Sequence, residues 1–177
     1  AAVACQYLLL GYEHILPRGL DHILFVVGLF LLGRKWRPLL WQVTAFTAAH
    51  SITLALAMNG VISLPSRVVE PLIALSIAYV AIENVFTMKL TPWRPAVVFA
   101  FGLLHGLGFA GVLSELGLPQ GQFATALLTF NVGVELGQLS VILAAFAVVG
   151  WFRGREWYRT AIVVPASLAI ALMGLYW

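Results

Sequence analysis

The apolar positions of this chain run on without alternation, and the breaks between runs fall at charged residues, proline and glycine. Cutting at those connectors leaves six apolar segments, about 19–33, 38–59, 67–88, 94–116, 121–150 and 159–177, with a shorter apolar piece at 7–16 ahead of Pro17. Most approach the ~20 residues that cross ~30 Å of hydrocarbon at ~1.5 Å per residue. The first is short on its own, so the pattern predicts that it recruits the piece before Pro17 as a kinked or re-entrant extension. Period-two alternation of a barrel strand is absent, and a crossing segment must satisfy its own backbone, so the segments are predicted to be helices. The reading is an all-α, polytopic membrane bundle of six transmembrane helices, a single domain over 1–177 without internal repeats.

Composition supplies the solvent. Of the residues 62% are hydrophobic and 10% charged, with mean hydropathy +0.97, where an ordinary soluble domain carries about 25% charged residues. A soluble chain of this size could not hide that much apolar surface, so the lipid bilayer is the first partner expected. The net charge of +3 is spread over short connectors and forms no extended basic face, so nucleic acid is not expected. The basic residues are distributed unequally instead. Arg34, Lys35, Arg37, Lys89, Arg94, Arg153, Arg155 and Arg159 lie on one side of the predicted bundle, against Arg18 and Arg67 on the other. The positive-inside rule makes the first side cytoplasmic and sends both termini outward. The chain opens without Met, as cleavage of a signal peptide on the outer side, or truncation, would leave it. Cys5 alone offers neither a disulfide nor a thiolate metal site, though Ala-Ala-Val-Ala-Cys faintly resembles a lipoprotein cleavage box.

Ionisable groups inside hydrocarbon are expensive and mark a functional interior by default. In the second segment Thr44, Thr47 and Ser51 fall on one helical face with His50 beside it; in the third, Ser76, Glu83 and Thr87 share a face; in the fifth, Asn131, Glu135 and Gln138 do. Such stripes are the pattern expected of helices lining one cavity. The fourth segment carries His105 among Gly102, Gly106, Gly108 and Gly111, small residues that let backbones approach and press His105 into the middle of the bundle. At ~1.5 Å per residue, His50 lies ~14 Å and Asn131 ~15 Å from the outer ends of their helices, with His105 near mid-membrane. His22 and Asp21 lie nearer the outer mouth, and Glu83 in the inner third, as an exit-side group. Glu70, Glu115 and Glu156 stand near predicted helix ends and are expected to be solvated.

Imidazoles and carboxylates without thiolates suit a borderline divalent cation such as Ni²⁺, Co²⁺ or Zn²⁺, whereas Ca²⁺ or Mg²⁺ would ask for more oxygen. Asp21 and His22 are adjacent and do not share a helical face, so Asp21 is expected to attract the ion or orient a histidine of another helix. Taken singly, His50, Asn131 or Gln138 reads as interhelical glue, and Ser or Thr as bonding the preceding turn. Several imidazoles and carboxylates reaching one interior read as a site.

The ordered set GYEHILPRGLDHILF, TAFTAAHSITLAL, VEPLIALSIAYVAIENVF, FGLLHGLGFAGVLSELG and FNVGVELGQL, over about residues 8–150, resembles the HupE/UreJ family of bacterial membrane proteins. The resemblance implies secondary transport of nickel or cobalt across the bacterial inner membrane, in partnership with hydrogenase or urease accessory proteins. It maps the family's first-helix motif onto His14, Asp21 and His22, its His-Gly motif onto His105-Gly106, and its Glu onto Glu135. The chain departs from the nickel-permease form in two ways. Its second His motif is sparser, and one extra residue, accounted for by Pro17-Arg18, stands between His14 and Asp21. In a continuous helix that residue rotates His14 by ~100° from His22, leaving His14 a gatekeeper.

Four functions compete. The leading one is a divalent-metal permease: the ion arrives at Asp21 and His22, is held by His50, His105 and Glu135 with help from Asn131, and leaves past Glu83, with Gln138 and Ser51 along the way. No nucleotide-binding loop is present, so the membrane potential, a coupled ion or a partner must drive it. The second is a membrane-embedded zinc hydrolase with Glu135 or Asp21 as base and Ser51 beside His50, although neither a G-x-S-x-G elbow nor H-E-x-x-H occurs. The third is a haem-binding subunit using His50 and His105, the fourth an accessory subunit whose polar stripes only align helices.

Overall fold

Each apolar run of the sequence is a helix in the computed structural model, which describes residues 2–33, 35–115 and 121–177, and the side chains of all of these except 110–115. The α-helices are α1 (Ala2–Ile15), α2 (Leu20–Leu32), α3 (Trp36–Met58), α4 (Ser66–Phe86), α5 (Arg94–Glu115), α6 (Phe123–Val149) and α7 (Val164–Tyr176). A tight turn, Gly150–Phe152, and a wide π-helical turn, Arg159–Val163, lead from α6 to α7. Among the described residues there is no strand. The predicted end of the fourth segment at 116, the side chain of Glu115 and the topology signal Arg34 lie outside the described residues.

The breaks have local causes. Pro17 ends the first helix, because proline cannot donate to the preceding turn, and α2 resumes at Leu20 bent by 70° from α1. Gly60 with φ +70° closes α3, and Gly121 with φ +79° stands just ahead of α6, both in the left-handed region that glycine enters freely. Four helical stretches, Trp36–Met58, Ser66–Phe86, Phe123–Phe152 and Arg159–Tyr176, are long and apolar enough to cross a membrane, and the bent pair α1 and α2 makes a fifth if counted as one span. The described apolar part of α5, Arg94–Phe109, is shorter.

Three helix pairs are packed backbone to backbone through glycine. A Cβ at Gly102 or Gly106 of α5 would meet the Phe46 or His50 carbonyl of α3, so the expected close approach of the fourth segment is made against the second. Gly11 of α1 sits on the Phe130 carbonyl of α6, while Gly133 and Gly137 of α6 sit on Leu8 and Ile15 of α1. Gly174 of α7 rests against the Ala74 carbonyl of α4. Helix α2 runs between these pairs, touching α3, α4, α6 and α7, and Phe25, Val26, Leu29 and Phe30 on it are fully buried.

Two connector cations do more than set topology. Arg153 donates to the carbonyls of Phe30 and Gly33 at the end of α2. Arg159 donates to those of Val85 and Thr87, 2.8 Å each, at the end of α4. Each places a guanidinium where a helix leaves its last carbonyls unbonded and its dipole is negative.

Candidate metal centre

All four histidines of the chain meet in one place, from four helices. Ring centroids lie 4.7 Å apart for His14 and His22, 4.9 Å for His22 and His105, 5.9 Å for His22 and His50 and 6.0 Å for His14 and His50. Phe25, Phe46, Phe109 and Phe130 pack around them. One ring nitrogen from each of His14, His22 and His50 falls in a set whose members all lie within 4.8 Å of one another. A tetrahedral ion with bonds of about 2.1 Å would hold its nitrogens about 3.4 Å apart, so the three rings need to close by little more than about 1 Å.

His14 joins because the helix is not continuous. The ~100° rotation expected from the extra residue does not operate: the chain turns between Ile15 and Leu20, and the bend delivers the last turn of α1 beside the first turn of α2.

For His50 and His105 the partner on the far side of the ring fixes which nitrogen is free. His50 Nδ1 lies 3.1 Å from Asn131 Oδ1, and the Asn131 amide is held by its own donation to the Leu127 carbonyl, 2.8 Å. The oxygen therefore faces the imidazole, Nδ1 carries the proton, and the Nε2 lone pair is left available. His105 Nδ1 lies 2.9 Å from the Phe101 carbonyl, which can only accept, with the same result. His22 Nδ1 lies 3.1 Å from Asp21 Oδ1. Of the two roles expected for Asp21, attracting the ion or orienting a histidine of another helix, the second is corrected: the histidine its carboxylate faces is its own neighbour, His22. The Nε2 atoms of all four histidines are buried and make no hydrogen bond among the described residues, whereas buried polar groups are otherwise bonded in the great majority of cases.

The polar stripes behave differently. Those of α3 and α6 bond to each other: Thr44 donates to Glu135 at 2.7 Å and Thr47 to Gln138 at 3.0 Å. Glu135 is half-buried and, like His105, stands outside the group of close nitrogens formed by His14, His22 and His50. Ser51 donates to the Thr47 carbonyl, 2.7 Å, and Ser76 to that of Ile73. The idea that every stripe lines one cavity is corrected accordingly, because a polar group in an apolar interior takes the nearest partner, and for α3 and α6 that partner is the facing stripe. Asn131 alone of the fifth-segment stripe reaches a histidine.

Glu83 is bound up in a network that the sequence did not announce. Arg94, 2% exposed, donates Nη1 to Glu83 at 2.7 Å, Nη2 to Asn84 at 3.1 Å and Nε to Gln42 at 3.1 Å. Thr91 donates to the other Glu83 oxygen, and Asn84 donates to the Gly28 carbonyl at 2.7 Å. Four helices, α2, α3, α4 and α5, are thereby tied together on one side of the histidines. Arg94 was legible only as a connector charge beside Pro95.

A family profile described as HupE / UreJ protein matches residues 1–177, the whole chain. The protein belongs to the HupE/UreJ family. No curated protein and no solved structure matches it. For this HupE/UreJ protein the matched span extends the resemblance of residues 8–150 to α7, and the apolar helices make it a membrane protein.

Proposed function

We propose that this HupE/UreJ protein is a permease for divalent transition-metal ions of the nickel and cobalt class in the bacterial inner membrane. The observation that carries the reading is the convergence of all four histidines, each with a buried, unbonded Nε2. Outer ring nitrogens turned toward an amide oxygen for His50 and a carbonyl for His105, with the Asp21 carboxylate 3.1 Å from His22 Nδ1, are the usual supports of metal-binding histidines. His14, His22 and His50 hold the ion, His105 supplies a further nitrogen, Asp21 and Asn131 orient His22 and His50, and the phenylalanines exclude water. Three or four nitrogens suit Ni²⁺, Co²⁺ or Zn²⁺ over Mg²⁺ or Ca²⁺.

The chain crosses the bilayer six times in this reading, α1 and α2 forming one broken crossing and α5, 22 residues long or about 33 Å, counting as a full one. The basic connectors face the cytoplasm and both termini face outward. The Arg94 network then closes the inner end, and passage inward requires Arg94 and Glu83 to part. Uptake of Ni²⁺, Co²⁺ and Zn²⁺ into proteoliposomes under an imposed potential tests the reading: accumulation above empty vesicles is expected for at least one ion, and none for any would contradict it.

A further inference from the structure

Glu70 reads in the sequence as a solvated helix-end carboxylate. It is exposed, yet it lines two adjoining cavities. The outer one, about 300 Å³, lies between α2, α4 and the end of α7, with Asp21, Glu70 and Trp177 on its walls. The inner one, about 200 Å³, shares Asp21, Glu70 and Ile73 with it and adds His14, His22 and His105. His22 and His105 are 2% and 1% exposed, and both present an unbonded Nε2. Among the described residues Glu70 makes no hydrogen bond or ion pair. The two cavities thus lie side by side between the end of α7 and the imidazoles, with the Glu70 carboxylate on the walls of both.

We propose that Glu70, together with Asp21, captures the hydrated divalent cation and hands it to the histidines; this rests on the permease reading above. Six waters at about 30 Å³ each occupy about 180 Å³, so the outer cavity, about 300 Å³, admits an ion with its first hydration shell. Carboxylates between low-dielectric walls focus the field and raise the local concentration of cations. Oxygen ligands do not distinguish Mg²⁺ from Co²⁺ sharply, whereas imidazoles do. Selection therefore proceeds in two steps, charge first at Glu70 and softness second at the histidines. Mg²⁺ competes for the first step and fails the second.

The test is Co²⁺ uptake into proteoliposomes at low ionic strength, with and without Mg²⁺, alongside the visible spectrum of Co²⁺ bound to the purified protein. Glu70→Gln is expected to raise KM for Co²⁺ about tenfold, to leave the bound-Co²⁺ spectrum unchanged, and to weaken inhibition by Mg²⁺. Glu70→Asp keeps KM near the wild-type value, and the KM difference shrinks as salt screens the charge. A wild-type KM and undiminished Mg²⁺ inhibition in Glu70→Gln, while His22→Ala loses the spectrum, would overturn the capture role alone. A changed Co²⁺ spectrum in Glu70→Gln would overturn it too, by making Glu70 part of the histidine site. A wild-type protein with neither spectrum nor uptake would overturn the capture role and the permease reading together.

Discussion

The two polar clusters inside this bundle obey opposite rules. Around Arg94 the guanidinium nitrogens each find an oxygen, on Glu83, Asn84 and Gln42, and the donors of Asn84 go on to the Gly28 carbonyl and Ser167. Around the histidines the outer nitrogens of His50 and His105 are bonded, His22 Nδ1 faces Asp21 at 3.1 Å without a hydrogen bond, and the four Nε2 atoms are left open among the described residues. Both clusters are buried among apolar helices, so both bear the same desolvation penalty. A saturated network offsets that penalty by itself and ties α2, α3, α4 and α5 together. An unsaturated one needs a ligand to do so. The comparison separates a residue that holds the bundle from one that acts through it, which residue type alone does not.

The contrast can be broken at the saturated end first. Glu83→Ala leaves Arg94 buried without its counter-charge and is expected to destabilise the folded protein by about 3–5 kcal/mol, read as loss of the thermal transition in detergent, while any surviving protein binds metal with unaltered affinity. Replacing the pair together, Glu83→Leu with Arg94→Met, is expected to recover part of that stability. At the open end, Asn131→Ala removes the acceptor that sets the His50 tautomer and is expected to weaken metal binding about 10–100-fold with little change in the thermal transition. The smallest effect belongs to the ladder between α3 and α6. Thr47→Val loses its bond to Gln138 and is expected to lower stability by about 0.6 kcal/mol, the average for polar contacts between membrane helices, with metal affinity unmoved. If Thr47→Val weakened metal binding as much as Asn131→Ala, the two kinds of polar contact would not be distinct.

The helices were legible because hydropathy and Pro/Gly punctuation act locally. Pro17, Gly60 and Gly121 each leave a mark that needs no tertiary knowledge. The site was legible in part: His22, His50 and His105 were read as converging, and the glycines around His105 told of the close approach to α3 that brings it in. His14 was set apart by a phase argument that holds only for a continuous helix, while the kink expected at Pro17 resets phase and brings His14 beside His22. For Asp21 only the orienting role went to the wrong helix, since helical spacing ignores a short side chain turning back on its neighbour. The stripe of Asn131, Glu135 and Gln138 was legible as a stripe, but spacing within one helix does not say which face meets which helix, and only Asn131 reaches an imidazole. Arg94 was hidden by position, because a charge near a helix end reads as a topology signal until the neighbouring helices are in place; Glu70 is exposed as expected, and what spacing did not show is the cavity it lines.

The account turns on the four histidines binding one metal ion among them, and equilibrium titration of the purified protein with Ni²⁺ and Co²⁺ tests that most directly. One ion per chain is expected for the wild type, with His22→Ala and His50→Ala each losing more affinity than the about 10–100-fold of an outer-shell change. Binding that is absent in the wild type, or as tight in both histidine variants as in the wild type, would contradict it.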